Sequence, residues 1–141
     1  SSVFSVGPNN AENQSGINYV FYCFHSVEGY SKFGSYHGNG LADGTFIYTG
    51  FRPAWLMIKS DALAGTNWNI FDNKRSTFNL TNDAIFGSQS NTEYVNNSST
   101  VVDMLANGFK ARSTYGDLNQ AAHKIIYFAF AEAPFKFANA R

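Results

Sequence analysis

The sequence predicts an all-β domain, built as a single antiparallel β-sandwich or jelly roll. Aromatic and β-branched runs typical of strands recur along the chain, and Gly-rich or Asn-rich turns separate them. Nowhere is an apolar period of about 3.6 residues sustained without an interrupting Gly, Pro or Asn, so helices are not expected. Aromatic residues make up 17% of the chain and charged residues only 14%, against roughly 25% charged in a typical soluble domain. This composition is typical of a β-rich extracellular or virion surface.

Each predicted strand is taken from an apolar or alternating run. Three of the turns have a specific cause, because Asn39-Gly40, Asp43-Gly44 and Asn107-Gly108 contain residues that tolerate the positive φ of tight hairpins. Segment 73–100 is rich in Asn, Ser and Thr and is predicted to form long surface loops with short strands. The predicted strands are 3–6, 17–25, 32–36, 46–48, 54–59, 68–71, 101–105, 109–112 and 124–131.

Two runs near opposite ends of the chain follow a similar pattern. Segments 22–33 and 127–137 both read as an aromatic run, a small or polar break, and then an aromatic-Lys-Phe step. This similarity is explained either by an internal repeat or by two central strands with the same packing requirements. Under either explanation the two ends of the chain lie in one sheet. The runs 19–24 and 125–130 are apolar on both alternating faces, so we expect them to be buried central strands, close in space and covered on both sides.

Length and charge limit the class of protein. With 141 residues the chain is the size of one domain, residues 1–141. Ten basic residues balance ten acidic ones, so no long-range field attracts nucleic acid. No apolar run approaches the roughly 20 residues that cross a bilayer, so membrane insertion is not expected. The first residue is Ser rather than Met, and we expect the chain to be an excised or processed part of a longer protein.

Catalysis is not expected from these residues. Cys23 is the only cysteine, which excludes an internal disulfide, and its apolar run predicts a buried, inert thiol. His25, His37 and His123 stand near no nucleophile elbow, and the carboxylates are scattered rather than paired as glycosidase chemistry requires. We therefore predict no enzymatic activity and no cofactor.

Metal binding is also not expected, because no zinc-type spacing and no EF-hand order occurs. The pairs Asp72-Asn73 and Asn82-Asp83 offer oxygen ligands of the kind that calcium takes in lectin-like folds. Asx-turn capping explains both pairs more simply, and we predict that role.

An ordered series of motifs resembles a C-terminal domain family of bacteriophage tail and tail-fibre proteins, many of them from marine phages and environmental sequences. The resemblance covers nearly the whole chain and implies a virion structural or host-recognition module, lectin-like in one reading. It departs at His25-Ser26, where the family carries an Ala-Glu pair like Ala131-Glu132. The motifs are Tyr-Val-Phe-Tyr-Cys-Phe at 19–24, Gly-Tyr-Ser-Lys-Phe-Gly-Ser-Tyr at 29–36 with Gly-Asn-Gly at 38–40, Gly-Phe-Arg-Pro-Ala-Trp-Leu-Met-Ile-Lys at 50–59, Trp68 with Asp-Asn-Lys-Arg at 72–75, Leu-Ala-Asn-Gly-Phe-Lys at 105–110 and Ala-Phe-Ala-Glu-Ala-Pro-Phe-Lys at 129–136.

Host-surface glycan recognition is the leading functional prediction, because sugars bind flat aromatic faces beside amide and carboxylate groups. A purely structural virion protein is the alternative, and a polysaccharide-degrading tail enzyme has less support. Trp55 and Trp68 lie in predicted strands and are expected in the core. The candidate glycan-binding residues at predicted turns and loops are Tyr36, His37, Asn39, Tyr94, Tyr115 and Asn119.

The expected partners follow from the same patterns. Strands that are apolar on both faces, together with low charge, predict a homo-oligomer, and a closed trimer removes exposed sheet edges. The resemblance adds other tail proteins as neighbours and places the protein in the virion, outside the host cell.

Overall fold

The computed structural model describes residues 3–61 and 64–134. It confirms an all-β domain of two antiparallel sheets, with only two four-residue helices among the described residues. In chain order the elements are α1 Asn10–Asn13, β1 Ser31–His37, β2 Phe46–Tyr48, β3 Pro53–Ser60, β4 Asn69–Asp72, β5 Ile85–Phe86, β6 Val102–Leu105, β7 Gly108–Ala111, α2 Gly116–Asn119 and β8 Lys124–Ala131.

The larger sheet has the order β1-β8-β3-β4-β5, and the smaller one has the order β2-β7-β6. The strand β8 therefore lies between β1 and β3 and forms ladders on both of its edges. Its alternate residues Ile125, Tyr127 and Ala129 are buried between the sheets, whereas Phe128 and Phe130 point to the other side and are half-buried. The predicted central strand at 125–130 is thus confirmed.

Aromatic and aliphatic side chains from both sheets form one core. On the side of the larger sheet, Leu56, Ile58 and Phe71 are fully buried. Phe109 of β7 crosses the gap between the sheets, with its ring centroid 5.2 Å from that of Tyr127 and 6.0 Å from that of Tyr36. These edge-to-face contacts join the two sheets at their centre.

Most of the predicted strands are confirmed to within a residue or two, but 3–6 and 17–25 are wrong. In the structure no strand forms between residues 3 and 26, and every residue there except Tyr19 is exposed. Cys23 is consequently exposed rather than buried. The similarity between 22–33 and 127–137 does not extend to the fold at 22–24, and residues 135–137 lie outside the described chain. An apolar pattern predicts a strand whose side chains must be buried, but it does not identify the surface that buries them.

The segment 73–100 forms loops with one short strand, β5, as predicted. The isolated bridge from Thr81 to Val102 and the pairing of β5 with β4 attach it to the sandwich, while the bridge from Ala84 to Tyr94 joins two parts of the segment itself. Long loops without such attachments are uncommon in compact domains.

Two buried polar side chains fasten α2 to the rest of the domain. The carboxylate Oδ2 of Asp117 accepts hydrogen bonds from the backbone N–H and the amide of Asn67, at 3.1 and 3.2 Å, and from Asn69 Nδ2 at 3.3 Å. Asn119 is fully buried, and its Nδ2 donates to Asn39 Oδ1, to the Leu41 carbonyl and to the Ser113 carbonyl at 2.7–3.0 Å. Because buried polar groups are normally hydrogen-bonded, these contacts link α2 to the 38–44 loop through Asn39 and Leu41.

We predict that Phe71→Ala lowers the free energy of unfolding by about 3–5 kcal/mol, the usual cost of removing a buried aromatic ring. Phe71 is fully buried, while Phe78 is 83% exposed and serves as the matched control. Phe78→Ala should change the stability by less than about 0.5 kcal/mol. Urea denaturation followed by fluorescence measures both, and equal effects would contradict this description of the core.

A second prediction concerns Asn119→Ala, which we expect to cost about 2–4 kcal/mol, since each buried acceptor left unpaired costs ~1–3 kcal/mol. The amides of Asn39 and Leu41 should lose protection in hydrogen exchange before the sheets do. Asn91 is exposed and its amide bonds only Gln89 Oε1, so Asn91→Ala is the control. Unchanged hydrogen exchange of the 38–44 loop amides in Asn119→Ala would show that the loop keeps its conformation without Asn119.

Candidate functional site

The structure separates the predicted glycan-binding residues into buried and exposed ones. Tyr36 lies on the inner side of β1, is 7% exposed, and donates its hydroxyl to the Leu118 carbonyl at 2.6 Å. Burial raises the pKa of this phenol. Asn119 is 0% exposed. The expectation that these two side chains face solvent is wrong, because β1 continues to His37 and places Tyr36 on its inner side, while Asn119 is a buried residue of α2.

Asn39 is exposed, but its side chain is already used within the loop. Its Oδ1 accepts from the Leu41 N–H at 3.0 Å, and its Nδ2 donates to the Asp43 carbonyl at 3.1 Å. His37, at the end of β1, is exposed. Neither residue is joined by the structure to an aromatic face on which a sugar ring could stack.

Tyr94 and Tyr115 are partly exposed, at 37% and 39%. Tyr94 packs edge-on against Phe86, with ring centroids 4.6 Å apart. Burial, and then the charges of Asp117 and Tyr94, raise the pKa of Tyr115. Both rings keep part of their surface accessible.

The best-formed cavity lies between the start of β1 and the end of β2, and we call it the Tyr48 cavity. Its volume is about 270 Å³. One wall is the turn from Val27 to Ser31, and the other is the segment from Tyr48 to Gly50. The lining residues are Ser26, Val27, Glu28, Gly29, Ser31, Lys32, Tyr48, Thr49 and Gly50.

The first wall is held by several hydrogen bonds. Val27 and Ser31 exchange backbone hydrogen bonds at 3.0 and 2.9 Å, and the Ser31 hydroxyl donates to the His25 carbonyl at 3.1 Å. Gly29 has φ +71°, a conformation that disfavours other residues. The wall is therefore pre-organised before any ligand arrives.

The second wall is fixed by the turn between β6 and β7. The N–H groups of Thr49 and Gly50 both donate to the Asn107 carbonyl, at 3.0 and 3.2 Å. Gly50 has φ +87°, and the hydroxyl of Tyr48 lies 3.7 Å from where a Cβ of Gly50 would stand. The ring of Tyr48 thus reaches back beside Gly50 while 65% of the residue stays exposed.

Two charged side chains on the cavity, Glu28 and Lys32, have no partner. Among the described residues neither side chain takes part in an ion pair or a hydrogen bond, and both residues are exposed. Asp43, by contrast, is paired with two cations: it lies 2.7 Å from both Lys110 Nζ and Arg112 Nη1, and Lys110 lowers the pKa of Asp43. The cavity therefore combines one aromatic ring with a free carboxylate and a free ammonium group.

The outer side of the larger sheet carries a second aromatic surface, the outer aromatic face. It consists of half-buried rings on β1, β3 and β8 and of Trp68 just before β4, with Trp55 to Phe130 at 5.6 Å and Trp68 to Phe128 at 5.8 Å between centroids. Lys59 Nζ lies 5.7 Å from the Trp68 ring. Neither tryptophan belongs to the core between the sheets, so that expectation is wrong. The face consists of Phe33, Trp55, Trp68, Phe128 and Phe130, bordered by Phe24 and Tyr30.

Asp72 acts as a turn cap, as predicted, whereas the Asn82-Asp83 pair forms no such local cap among the described residues and Asp83 instead bonds to a residue 13 positions along the chain. Asp72 Oδ1 accepts from the backbone N–H groups of Lys74 and Arg75 at 2.9 and 2.8 Å, and Asp83 Oδ1 accepts from the Asn96 N–H at 2.8 Å.

Within residues 3–61 and 64–134 no group of three His, Cys, Asp or Glu side chains converges as a metal site. In the same residues no histidine ring is hydrogen-bonded to a carboxylate, a serine or the cysteine.

No helix among the described residues is long and apolar enough to cross a membrane. Fold and site together define a small two-sheet β domain with a polar, aromatic-walled cavity. The chain belongs to the family described as Domain of unknown function (DUF7483), whose model matches residues 1–134. No curated protein and no solved structure matches it.

Acid should weaken the 72–75 cap. Burial raises the pKa of Asp72, but hydrogen bonds from the Arg75 and Lys74 N–H groups and from the Arg75 side chain outweigh it and leave the pKa lowered. A lowered folded pKa stabilises the protein above the unfolded value of 3.8, and that contribution is lost as pH falls through the folded value. We expect Asp72→Asn, which keeps an acceptor for both N–H groups, to show a shallower decline of Tm than wild type below about pH 4. Parallel declines would contradict this linkage.

Proposed function

We propose that this domain is a non-enzymatic glycan-binding module of a bacteriophage tail or tail fibre, displayed on the virion outside the host cell. The observation that carries the binding proposal is the Tyr48 cavity, where an exposed aromatic ring faces free charged groups across a rigid gap. Sugar rings present apolar C–H faces that stack on aromatic rings, and their hydroxyls bond to carboxylate, ammonium and backbone groups. The placement in a phage tail is supported by the resemblance of the ordered motifs.

The chemistry of the cavity favours a terminal sugar unit. Its volume of about 270 Å³ is slightly below the ~300–1,000 Å³ usual for drug-sized ligands. Glu28 accepts hydrogen bonds from hydroxyls, while Lys32 donates to ring or hydroxyl oxygens, and their opposite charges nearly cancel. We therefore infer a neutral or weakly charged glycan, bound through one end.

The decisive experiment compares binding of the full chain and matched variants to an array of neutral and acidic oligosaccharides. Tyr48→Ala and Glu28→Gln should each weaken binding at least about tenfold, the effect of losing one stacking or hydrogen-bonding contact in a desolvated site. Phe46→Ala is the control, because Phe46 precedes Tyr48 by two residues on the same strand, is 45% exposed, and does not line the cavity. All three variants should retain the melting temperature of the wild type to within a few degrees.

Salt separates this proposal from recognition of a polyanion. Binding through stacking and neutral hydrogen bonds releases few counterions, so affinity should change little between low and moderate salt. Binding that collapses with salt, or that survives Tyr48→Ala and Glu28→Gln unchanged, would overturn the assignment to this cavity. A wild-type protein that binds no oligosaccharide on the array would favour the purely structural role.

A further inference from the structure

The segment preceding β1, residues 3–26, is an arm that exposes a large apolar surface. Val20 is 78% exposed and Tyr22 is 83% exposed, and the run 19–24 is entirely aromatic, aliphatic or Cys. No Asp, Glu, Lys or Arg occurs between Glu12 and Glu28. Such a run has high strand propensity, and an exposed apolar stretch of this size marks an interaction surface.

The arm mostly contacts itself. The rings of Phe4 and Phe21 lie edge to face at 5.4 Å, and the hydroxyl of Tyr19 donates to the Asn10 carbonyl at 2.7 Å. At its end nearest β1 the arm reaches the domain through Phe24, whose ring lies 5.6 Å from that of Phe33, and through the His25 carbonyl and the Ser26 hydroxyl. The strand-forming part of the arm thus pairs in no ladder with any of the described residues.

Strand β1 lies at the edge of the larger sheet, and the middle of its outer edge, at Ser35, is free among the described residues. Backbone bonds join Tyr30 to Ala131 and Gly38 to His123, so the even-numbered residues of β1 face β8 and the odd-numbered residues direct their N–H and C=O groups outward. On that outer edge Ser35 has no hydrogen-bond partner for its N–H or C=O among the described residues. An unpaired edge of this kind is a template for another strand.

The arm of the same chain is prevented from filling this edge. Val27 and Ser31 form one antiparallel bridge, which in a longer hairpin would be followed by a pair of backbone bonds between His25 and Phe33. Instead, the Phe33 N–H donates to the Ser26 hydroxyl at 3.0 Å, and the His25 carbonyl accepts from the Ser31 hydroxyl at 3.1 Å. The Ser26 and Ser31 hydroxyls thus occupy the Phe33 N–H and the His25 carbonyl, two groups whose backbone bonds would extend the hairpin. Pairing of the arm with β1 of its own chain therefore stops after one bridge.

We propose that the run 19–24 of one copy adds as a strand to the free β1 edge of a second copy of this chain. Each copy carries both the donor strand and the acceptor edge, so one contact repeats around the assembly and can close into a ring. Added along β1 at Ser35, the strand lies next to the outer aromatic face and buries apolar side chains that are exposed in one chain. Because the formal net charge is zero, no net electrostatic repulsion between copies opposes this association.

Sedimentation equilibrium of the full chain at micromolar concentrations tests this exchange. The expected species is a multiple of the 15.6 kDa chain, with a closed trimer as the form that we expect. Tyr22→Lys places a charge in the donor strand and should raise the dissociation constant at least about tenfold. Phe78→Lys is its matched control, because Phe78 is also 83% exposed but lies in the 73–100 loop.

The acceptor edge is tested separately with Ser35→Pro, which removes an outward N–H without touching the β8 ladder, and with Ser35→Ala, which keeps the N–H. Ser35→Pro should dissociate the oligomer and Ser35→Ala should not. Hydrogen exchange adds an independent readout: the Ser35 amide should be protected in the wild-type oligomer and exposed in Tyr22→Lys. This readout remains decisive even if Ser35→Pro fails to fold.

Three results would overturn the exchange. They are a monomer at every concentration, an oligomer that Tyr22→Lys and Phe78→Lys disturb equally, and protection of residues 19–24 that does not depend on concentration, which would assign the strand to its own chain. The outcome is independent of glycan binding, since neither Tyr22 nor Ser35 lines the Tyr48 cavity.

Discussion

The central position of β8 determines much of this molecule. Because β8 is hydrogen-bonded on both edges, to β1 and to β3, its side chains have only the two faces of the sheet available. Ile125, Tyr127 and Ala129 fill the gap to the smaller sheet. Phe128 and Phe130 are placed on the opposite face by the same alternation, so this strand supplies the core and also generates the outer aromatic face.

The buried polar groups complement that apolar core. Asp117 and Asn119 lie on a four-residue helix that could not hold itself in place, since so short a helix is unstable alone. Their hydrogen bonds to Asn67, Asn69 and the 38–44 loop position α2 across the end of the sandwich. The packed centre and the loop architecture are therefore coupled through a small set of amide and carboxylate groups.

The alternating strands from 32 to 131 could be predicted from the sequence because their periodicity and their Asn-Gly or Asp-Gly turns agree with each other. The arm could not, since residues 19–24 have the same pattern as a central strand and differ only in having no neighbour to pair with. Tyr36 and Asn119 were misplaced because a Gly-rich motif and a short polar helix both resemble surface turns. The Tyr48 cavity depends on contacts between residues about twenty positions apart, which periodicity does not encode. The only local indication of this cavity in the sequence is the order Tyr48-Thr49-Gly50, in which an aromatic residue stands two positions before a glycine.

The walls of the Tyr48 cavity are built from backbone hydrogen bonds and two glycines of positive φ, whereas its chemical character comes from three exposed side chains. Exposed substitutions usually change stability by no more than about 0.5 kcal/mol. Tyr48, Glu28 and Lys32 are therefore free to vary during evolution without disturbing the sheets beneath them. A lineage under pressure to follow a changing surface could alter what this cavity accepts while inheriting the scaffold intact.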